Sequence, residues 1–274
     1  MKKKTPKVSV LMPAYNAESY IGVAIESILS QTFRDLELIV IDDSSTDSTI
    51  EIVSEFAKND DRLCIIRNSK NLKISRSLNK GLNIAKGRYV ARMDADDWSY
   101  SDRIEKQYHF LEKNPKVGIV GGVMRVCDKN LKVIGTRFYE KSDRSIRKKM
   151  FRYNPFCHPA IMVRKSIFDQ VGGYNVYLAD AEDYDLYFRI GNISKFANLD
   201  CPIIKYRMNN SSISSIRSRN QERLTIFIRF KAWVEYGYPM KFSDIFYTLA
   251  QLLSMLVIPQ KLKIKLFNAL RNTK

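Results

Sequence analysis

Short apolar runs alternate with longer stretches of helical periodicity through the first 114 residues. The apolar runs predict four buried strands, over 8–12, 36–42, 63–67 and 89–93. Between them, apolar side chains recur at three- and four-residue spacing, which predicts helices over 17–30, 47–59 and 75–85. Strands and helices that alternate in this way are typical of βα units around a mostly parallel sheet. The first half of the chain is therefore predicted to have an α/β fold.

The pattern changes after residue 118. Turn residues and alternation predict two strands, a short basic helix and a further strand, over 118–126, 131–138, 142–152 and 158–163. A Ser-rich loop over 209–218 then leads into three helical patterns, over about 221–236, 242–257 and 261–270. These changes predict a main domain over 1–218, with halves at 1–114 and 115–218, and a basic amphipathic helical tail over 219–274.

Charge and size narrow the class of protein. The chain has 274 residues, of which 45% are hydrophobic, so it can bury a full core. Its 46 Lys and Arg against 29 Asp and Glu give a net charge of +17, which attracts phosphorylated ligands, anionic lipid or nucleic acid. Aromatic residues are not interleaved with basic ones on a reading face, so no nucleic-acid partner is expected.

Cysteine usage and the chain ends bear on location. The four cysteines lie far apart without a CxxC pair, which predicts reduced thiols in or near the core and a reducing compartment. The apolar run 8–12 is too short for a signal peptide. The run 245–258 is too short to cross a bilayer, which needs about 20 residues. Lys and Leu or Ile alternate over 261–266, which suits a helix in the lipid headgroup layer, or else a hairpin packed on the main domain.

Acidic residues follow two of the predicted strands. Asp42-Asp43 ends the second, and Asp94, Asp96 and Asp97 follow the fourth. Open α/β sheets bind ligands at the carboxyl ends of their strands, so both clusters are expected at a binding site. A calcium-binding EF-hand is excluded, because its turn glycine would be Ser99, and the chain has neither a G-x-G-x-x-G nor a P-loop motif.

Seven segments in consistent order resemble family 2 glycosyltransferases of the GT-A fold, a mixed sheet flanked by helices. They are the segments 8–16, 41–49, 93–98, 157–159, 171–174, 182–186 and 206–207. The resemblance implies that Asp94-Ala95-Asp96 is the family's D-x-D, with Asp96 as metal ligand and Asp94 nearer the ribose and the metal. Oxygen-rich coordination of this kind favours Mg²⁺ or Mn²⁺.

The same resemblance assigns the nucleotide site. Pro13, Ala14 and Tyr15 correspond to the turn that wraps around the base, and Asp42 or Asp43 is placed to accept a hydrogen bond from a pyrimidine N–H. This arrangement implies a UDP-sugar donor.

Further residues are assigned on the acceptor side. Glu182-Asp183 resembles the family's acid pair, which implies that Asp183 removes the proton of the attacking hydroxyl and that Glu182 is its neighbour or binds an acceptor hydroxyl. His158 matches the family's His-Pro step, which implies contact with the metal, the diphosphate or the acceptor. The alternative is a histidine that is only part of the core. Arg207 matches the family's late Tyr-Arg step, which implies that its guanidinium binds a phosphate oxygen. The alternative is an ordinary surface arginine.

Two departures from the family pattern stand out. Lys73 replaces the glycine of an Asn-x-Gly-Ile step, so the local backbone is expected to differ. The segment 221–224 lacks the tryptophan of the processive members' Gln-x-x-Arg-Trp helix, which favours a single-transfer enzyme.

The resulting hypothesis is an inverting, metal-dependent transfer of a hexose or N-acetylhexosamine to a hydroxyl of a lipid-linked glycan, in bacterial surface polysaccharide synthesis. The enzyme would lie in the cytoplasm, peripherally at the inner face of the membrane. The alternatives are a nucleotidyltransferase that forms nucleotide-sugars and a non-catalytic basic protein that binds membrane or nucleic acid.

Overall fold

The computed structural model describes residues 5–178, 180–208 and 219–258. Within them the strands are β1 (Val8–Ala14), β2 (Leu36–Asp42), β3 (Leu63–Arg67), β4 (Tyr89–Arg92), β5 (Trp98–Ser99), β6 (Val117–Cys127), β7 (Val133–Arg137), β8 (Met162–Arg164) and β9 (Lys195–Arg207). The helices are α1 (Ile21–Leu29), α2 (Thr49–Asn59), α3 (Ile74–Ile84), α4 (Arg103–Lys113), α5 (Asp143–Lys149), α6 (Lys165–Val171), α7 (Glu182–Ile193), α8 (Arg219–Val234) and α9 (Phe242–Val257).

The described strands join into one mixed sheet. Its order is β3-β2-β1-β4-β8-β6-β9-β5, and β7 pairs with β6 as a side branch. The first four strands are parallel, whereas β8 runs antiparallel to both β4 and β6. The sheet therefore changes direction directly beside β4, whose carboxyl end carries the second acidic cluster.

Both faces of the sheet are covered by apolar packing. Along β1, Val8, Val10 and Met12 contribute to one buried cluster, and Leu11 contributes to the other. This alternation follows from the two-residue side-chain period of a strand. The polar side chains at the strand ends are consequently left at the edge of the sheet.

Buried polar side chains of α4 anchor the carboxyl end of β4. The guanidinium of Arg103 is fully buried and donates to the carbonyl oxygen of Arg92, at 2.7 Å, and to Oε1 of Gln107, at 3.1 Å. Gln107 in turn donates to the carbonyl oxygen of Ala160 at 2.8 Å. Burial lowers the pKa of Arg103 to about 10, so the group is still a cation at neutral pH. These bonds fix the strand from which the acidic loop begins.

The structure confirms most predicted elements and corrects others. The pair of strands around the 128–130 turn is antiparallel, as expected. The strand predicted over 158–163 is wrong: His158–Ala160 form a 3₁₀ turn, and the strand begins only at Met162. Pro159 explains the difference, because it has no N–H to donate to a neighbouring strand. The helix predicted over 261–270 lies outside the described residues.

The cysteine prediction is confirmed in part. All four thiols are free, and Cys127 and Cys157 are buried, but Cys64 is exposed and Cys201 only partly covered. No helix in the described ranges combines the length and apolar character needed to cross a bilayer.

The helices α8 and α9 pack against the rest of the chain through one side only. Ile228 and Ala232 of α8 are buried in the same cluster as Phe188 of α7. Large apolar side chains on the outer side of α8 and α9 are exposed by 41 to 86%: Phe227, Phe230, Trp233, Val234, Phe242, Phe246, Leu249, Leu252 and Leu253.

The backbone at Lys73 has the geometry that glycine favours. Its φ is +69° and its ψ is 167°, immediately before α3. A residue with a Cβ held in such a sparsely populated region costs about 1–3 kcal/mol. The local fold thus keeps a glycine-type conformation although the sequence supplies lysine.

We predict that Lys73→Gly raises the free energy of unfolding by about 1 kcal/mol, since relief of strain outweighs the greater entropy of glycine in the unfolded chain. Urea denaturation followed by circular dichroism measures the change. The matched control is Lys58→Gly inside α2, which is expected to lower the same free energy by about 1 kcal/mol. A loss of stability on Lys73→Gly would contradict the assigned strain.

Candidate active site

Three carboxylates gather in the loop after β4. Oxygen atoms of Asp94, Asp96 and Asp97 all lie within 4.8 Å of one another. Asp94 and Asp96 are partly buried, whereas Asp97 is fully buried. This donor set is hard and oxygen-only, and it fits Mg²⁺ or Mn²⁺. Ala95 is buried between them and carries no ligand atom.

The guanidinium of Arg92 lies beside this group. It is almost fully buried, and its Nη2 is 2.5 Å from Oδ1 of Asp94. Its Nε and Nη1 are also buried and have no hydrogen-bond partner among the described residues. Sequence reasoning missed Arg92; the available signal was a cation at the end of a buried strand, two residues before the D-x-D.

Proton affinities in the acidic loop are unusual. Burial first, and then the charge of Asp94, raise the pKa of Asp96 to about 6. Burial and the charges of Asp94 and Asp96 raise the pKa of Asp97 well above its ordinary value. Crowded carboxylates resist ionisation together unless a cation neutralises them. The loop is therefore arranged to gain from a divalent cation.

Arg207 ties the acidic loop to the end of β9. Its Nε donates to the carbonyl oxygen of Asp96 at 2.6 Å, and its backbone N–H donates to Oδ1 of Asp97 at 2.9 Å. Its guanidinium also lies 4.5 Å from the ring centre of Tyr20. Arg207 is thus buried beside the site rather than on the surface, and its contact with a phosphate stays a prediction.

The ends of β1 and β2 form the adjoining edge. Ala14 pairs directly with Asp42, and the ring of Tyr15, next along the chain, is half exposed. Pro13 precedes them within β1. Asp42 is fully buried; its Oδ1 accepts from the N–H of Ser45 at 3.2 Å, and its Oδ2 lies 3.4 Å from Nε of Arg67.

The carboxylate of Asp43 accepts hydrogen bonds from the neighbouring loop. Its carboxylate accepts from Nδ2 of Asn68 and from the N–H groups of Leu72 and Lys73, each at 2.8 Å. These bonds hold Lys73 in its glycine-type conformation. Of the two aspartates, Asp42 has the smaller set of internal hydrogen bonds, so it is the better candidate for a nucleotide base. Both assignments stay predictions.

A second acid pair begins α7. Oδ2 of Asp183 accepts from Nδ2 of Asn154, and its Oδ1 accepts from the N–H of Tyr184 at 2.7 Å. Oδ1 of Asn154 accepts from the N–H of Phe156 at 3.3 Å, which fixes the amide with its donor toward Asp183. Asn154 lies 29 residues from Asp183 in sequence, and sequence reasoning missed it.

Burial controls the protonation of this pair. It is the main cause that raises the pKa of Asp183, and the donation from Asn154 opposes it. Burial and the adjacent Asp183 charge raise the pKa of Glu182 to about 8. Glu182 therefore mostly carries its proton at neutral pH, and the hydrogen bonds from Asn154 and Tyr184 favour the charged form of Asp183.

The charge of one buried cation acts on both acidic groups. The positive charge of Arg92 lowers the pKa of Asp96 in the loop after β4, and it also lowers the pKa of Glu182 and Asp183 at the start of α7. Asp183 also opens onto a cavity of about 400 Å³. Arg92 thus pairs with one member of the sequence-predicted metal group and is close enough to the acid pair for its charge to act on both carboxyls.

His158 lies at the same centre without joining the carboxylate group. Its Nε2 is 3.0 Å from the hydroxyl of Tyr174. Burial, together with Arg92, lowers the pKa of His158 well below its ordinary value, so the ring is neutral. A neutral imidazole is the form that binds metals, and its assignment as a metal ligand stays a prediction.

Comparison with known proteins gives a family match. A sequence model described as "Glycosyl transferase family 2" matches residues 9–172, which is more than half of the chain. An "Uncharacterized glycosyltransferase" of Haemophilus influenzae is 36% identical over 226 residues, which cover 79% of this chain and 70% of the relative.

Two solved structures share the fold. Residues 1–349 of TarS from S. aureus in complex with UDP-GlcNAc superpose with a TM-score of 0.67 at 16% identity, covering 93% of this chain and 77% of that chain. GalNAc-T7 with UDP, GalNAc and Mn²⁺ gives a TM-score of 0.67 at 14% identity, covering 86% of this chain and 50% of that chain.

We predict that Asp96→Asn weakens Mn²⁺ binding by about tenfold or more, because it removes one charged oxygen from the three-carboxylate group. Isothermal titration with Mn²⁺ in the presence of UDP measures the affinity. In the wild type the affinity is expected to fall as the pH drops below about 6, since Asp96 then takes up a proton.

The matched control is Asp200→Asn, because this aspartate is exposed and pairs only with Lys141 at the surface. It is expected to leave the Mn²⁺ affinity unchanged. Equal Mn²⁺ affinity in the Asp96 variant and the wild type would show that the group does not hold the cation.

Proposed function

This chain belongs to glycosyl transferase family 2, and on that premise we propose that it transfers a sugar from a UDP-sugar to a hydroxyl of a glycan, with inversion at the transferred carbon. The observation that carries the proposal is that the buried Arg92 pairs with Asp94 of the acidic loop while its charge also acts on Glu182 and Asp183 of the acid pair. Membership of this family of enzymes also removes the two alternative classes that the sequence had left open.

Support for the donor comes from the edge formed by β1 and β2. The buried Asp42 carboxylate, opposite Ala14, has the acceptor oxygens that a uracil N–H requires, and Tyr15 offers a half-exposed ring beside it. TarS and GalNAc-T7, which share the fold, are both seen with UDP or a UDP-sugar. A mannosyltransferase that shares the fold is instead seen with GDP-Man, so the inference of UDP rests on the Asp42 edge.

A divalent cation fits the acidic loop. Asp94 and Asp96 would hold Mn²⁺ or Mg²⁺, with Asp97 behind them. When bound, the cation supplies the positive charge that stabilises the departing diphosphate, a contribution of several kcal/mol. Two arginines stabilise the conformation of the loop. Arg92 pairs with the Asp94 carboxylate, and Arg207 donates to the carbonyl oxygen of Asp96.

Asp183 is the base in this proposal. The acceptor hydroxyl gives its proton to the Asp183 carboxylate as its oxygen bonds to the anomeric carbon. The bond from that carbon to the phosphate oxygen breaks on the opposite face, and its electron pair leaves with UDP. Asn154 and the N–H of Tyr184 orient the carboxylate, and the raised pKa makes it a stronger base than an ordinary aspartate.

We infer that the acceptor is lipid-linked and that the enzyme binds peripherally to the cytoplasmic face of a membrane during surface polysaccharide synthesis. Phe242, Phe246, Leu249 and Leu253 form one exposed stripe on α9, at i, i+4, i+7 and i+11. An apolar stripe of this kind, followed in sequence by the basic segment 261–271, matches an anionic bilayer in both polarity and charge.

We predict that Asp183→Asn lowers kcat by about 10²- to 10⁴-fold, because the amide cannot accept the proton. Release of UDP from a panel of UDP-sugars with Mn²⁺ and a mixture of lipid-linked glycans measures turnover. Wild-type turnover is expected to fall with decreasing pH at a higher pH than for an ordinary aspartate, since burial raises the pKa of Asp183.

The control for that experiment is Asp169→Asn, an exposed position on α6 that should keep full turnover. Full turnover by the Asp183 variant, or turnover with retention of configuration in the wild type, would overturn the assigned base.

We predict that serine at all four stripe positions of α9 lowers the fraction bound to vesicles of phosphatidylglycerol and phosphatidylethanolamine at least fivefold, since most of the inserted apolar surface is lost. Flotation on a density gradient measures the bound fraction. The control replaces Ile134 and Phe138, which are exposed by 59 and 62% on another surface, with serine. If both variants float like the wild type, the stripe does not bind the membrane.

A further inference from the structure

The cavity of about 400 Å³ beside Asp183 is walled by α7, α8 and α9. Its size lies within the range of small-molecule sites, about 300–1,000 Å³. Its lining mixes amide, hydroxyl, carboxylate and guanidinium groups with the rings of three tyrosines. Such a mixture of donors, acceptors and aromatic faces suits a polyhydroxylated ligand better than an apolar one.

One side of α9 supplies much of this wall. Tyr247, Ala250, Gln251 and Ser254 line the cavity, at i, i+3, i+4 and i+7. The apolar stripe of α9 lies on a different side of the same helix. One helix thus separates the cavity from the surface that we assign to the membrane.

Hydrogen bonds fix the orientation of the Gln251 amide. Arg229 is 2% exposed, and its Nη1 donates to Oε1 of Gln251 at 2.8 Å. Its Nε donates to the hydroxyl of Tyr184 at 3.3 Å, so the guanidinium connects α7, α8 and α9. Because the oxygen of Gln251 is used in this way, its Nε2 is the free end, and no described residue accepts a hydrogen bond from it.

We infer that this cavity is the subsite for the acceptor saccharide, and that Nε2 of Gln251 donates to a ring or hydroxyl oxygen of the sugar whose hydroxyl faces Asp183. The inference rests on the proposed function. The ligand class is a neutral pyranoside, recognised through its hydroxyl groups. Both α8 and α9 lie beyond residues 9–172, the part that matches the family, so acceptor choice is assigned to a segment outside that match.

Saturation-transfer NMR with p-nitrophenyl glycosides of glucose, galactose, N-acetylglucosamine and N-acetylgalactosamine tests this subsite in the presence of UDP and Mn²⁺. At least one glycoside is expected to show transfer to its sugar-ring protons.

Gln251→Glu replaces the hydrogen-bond donor with an acceptor. The new carboxylate can pair with Arg229, so the packing is kept, and we expect the sugar affinity to fall at least tenfold. The matched control is Gln170→Glu on the exposed side of α6, which should bind like the wild type.

A second pair of variants tests the cavity by volume. Ala250→Trp fills the cavity and is expected to abolish sugar binding, whereas Leu249→Trp, at the adjacent exposed position outside it, should not. The affinity for UDP should be the same in all variants.

The outcomes separate the two proposals. Unchanged sugar binding in both Gln251→Glu and Ala250→Trp would overturn the subsite, and so would the absence of binding by every glycoside while UDP and Mn²⁺ bind. Failure of UDP itself to bind the wild type would instead overturn the proposed function.

Discussion

The buried guanidinium of Arg92 is the interaction on which the site depends. Three carboxylates crowd into the loop after β4, and two more begin α7. Without a cation between them, their mutual repulsion and desolvation would oppose folding of this region. Arg92 pairs with Asp94, and its positive charge partly offsets the rise that burial causes in the pKa of Asp96 and Asp183. Its position follows from the sheet, because β4 is the strand beside which parallel pairing gives way to antiparallel pairing.

The sequence was sufficient where the relevant interactions are local. Apolar periodicity predicted β1 to β4 and the helices between them, and the carboxylates that follow β2 and β4 were expected together because parallel strands end at one edge. It was insufficient where chemistry depends on distant contacts. Asn154 reaches Asp183 across 29 residues, and β9 pairs with β6 over a long separation in the chain. Neither leaves a periodic signal in a single sequence.

The helix α9 shows a further limit of periodicity. Amphipathic spacing identifies a helix, and the apolar side is ordinarily expected to face the core. Here Phe242, Phe246 and Leu253 face outward, while Gln251 and Ser254 line the cavity beside Asp183. The sequence shows that α9 has an apolar and a polar side, but it does not show which side faces the rest of the protein. The bond from Arg229 of α8 to Gln251 holds the polar side toward α8. A buried polar contact therefore fixes the side of α9 that bears Gln251, and the apolar stripe lies on another side of the helix.

The carboxyl groups of the acidic loop and of the acid pair differ in their protonation states. Burial raises the pKa of Asp96 to about 6 and that of Glu182 to about 8, so near neutral pH the first is mostly ionised and the second mostly protonated. A divalent cation at the loop would lower the pKa of Asp96 further, because opposite charge favours the ionised form. At α7 the donation from Asn154 and the charge of Arg92 oppose the effect of burial, which still raises the pKa of Asp183. The same kind of carboxyl group thus has different surroundings in the two places: other carboxylates crowd it in the loop, whereas hydrogen-bond donors hold Asp183 at the start of α7.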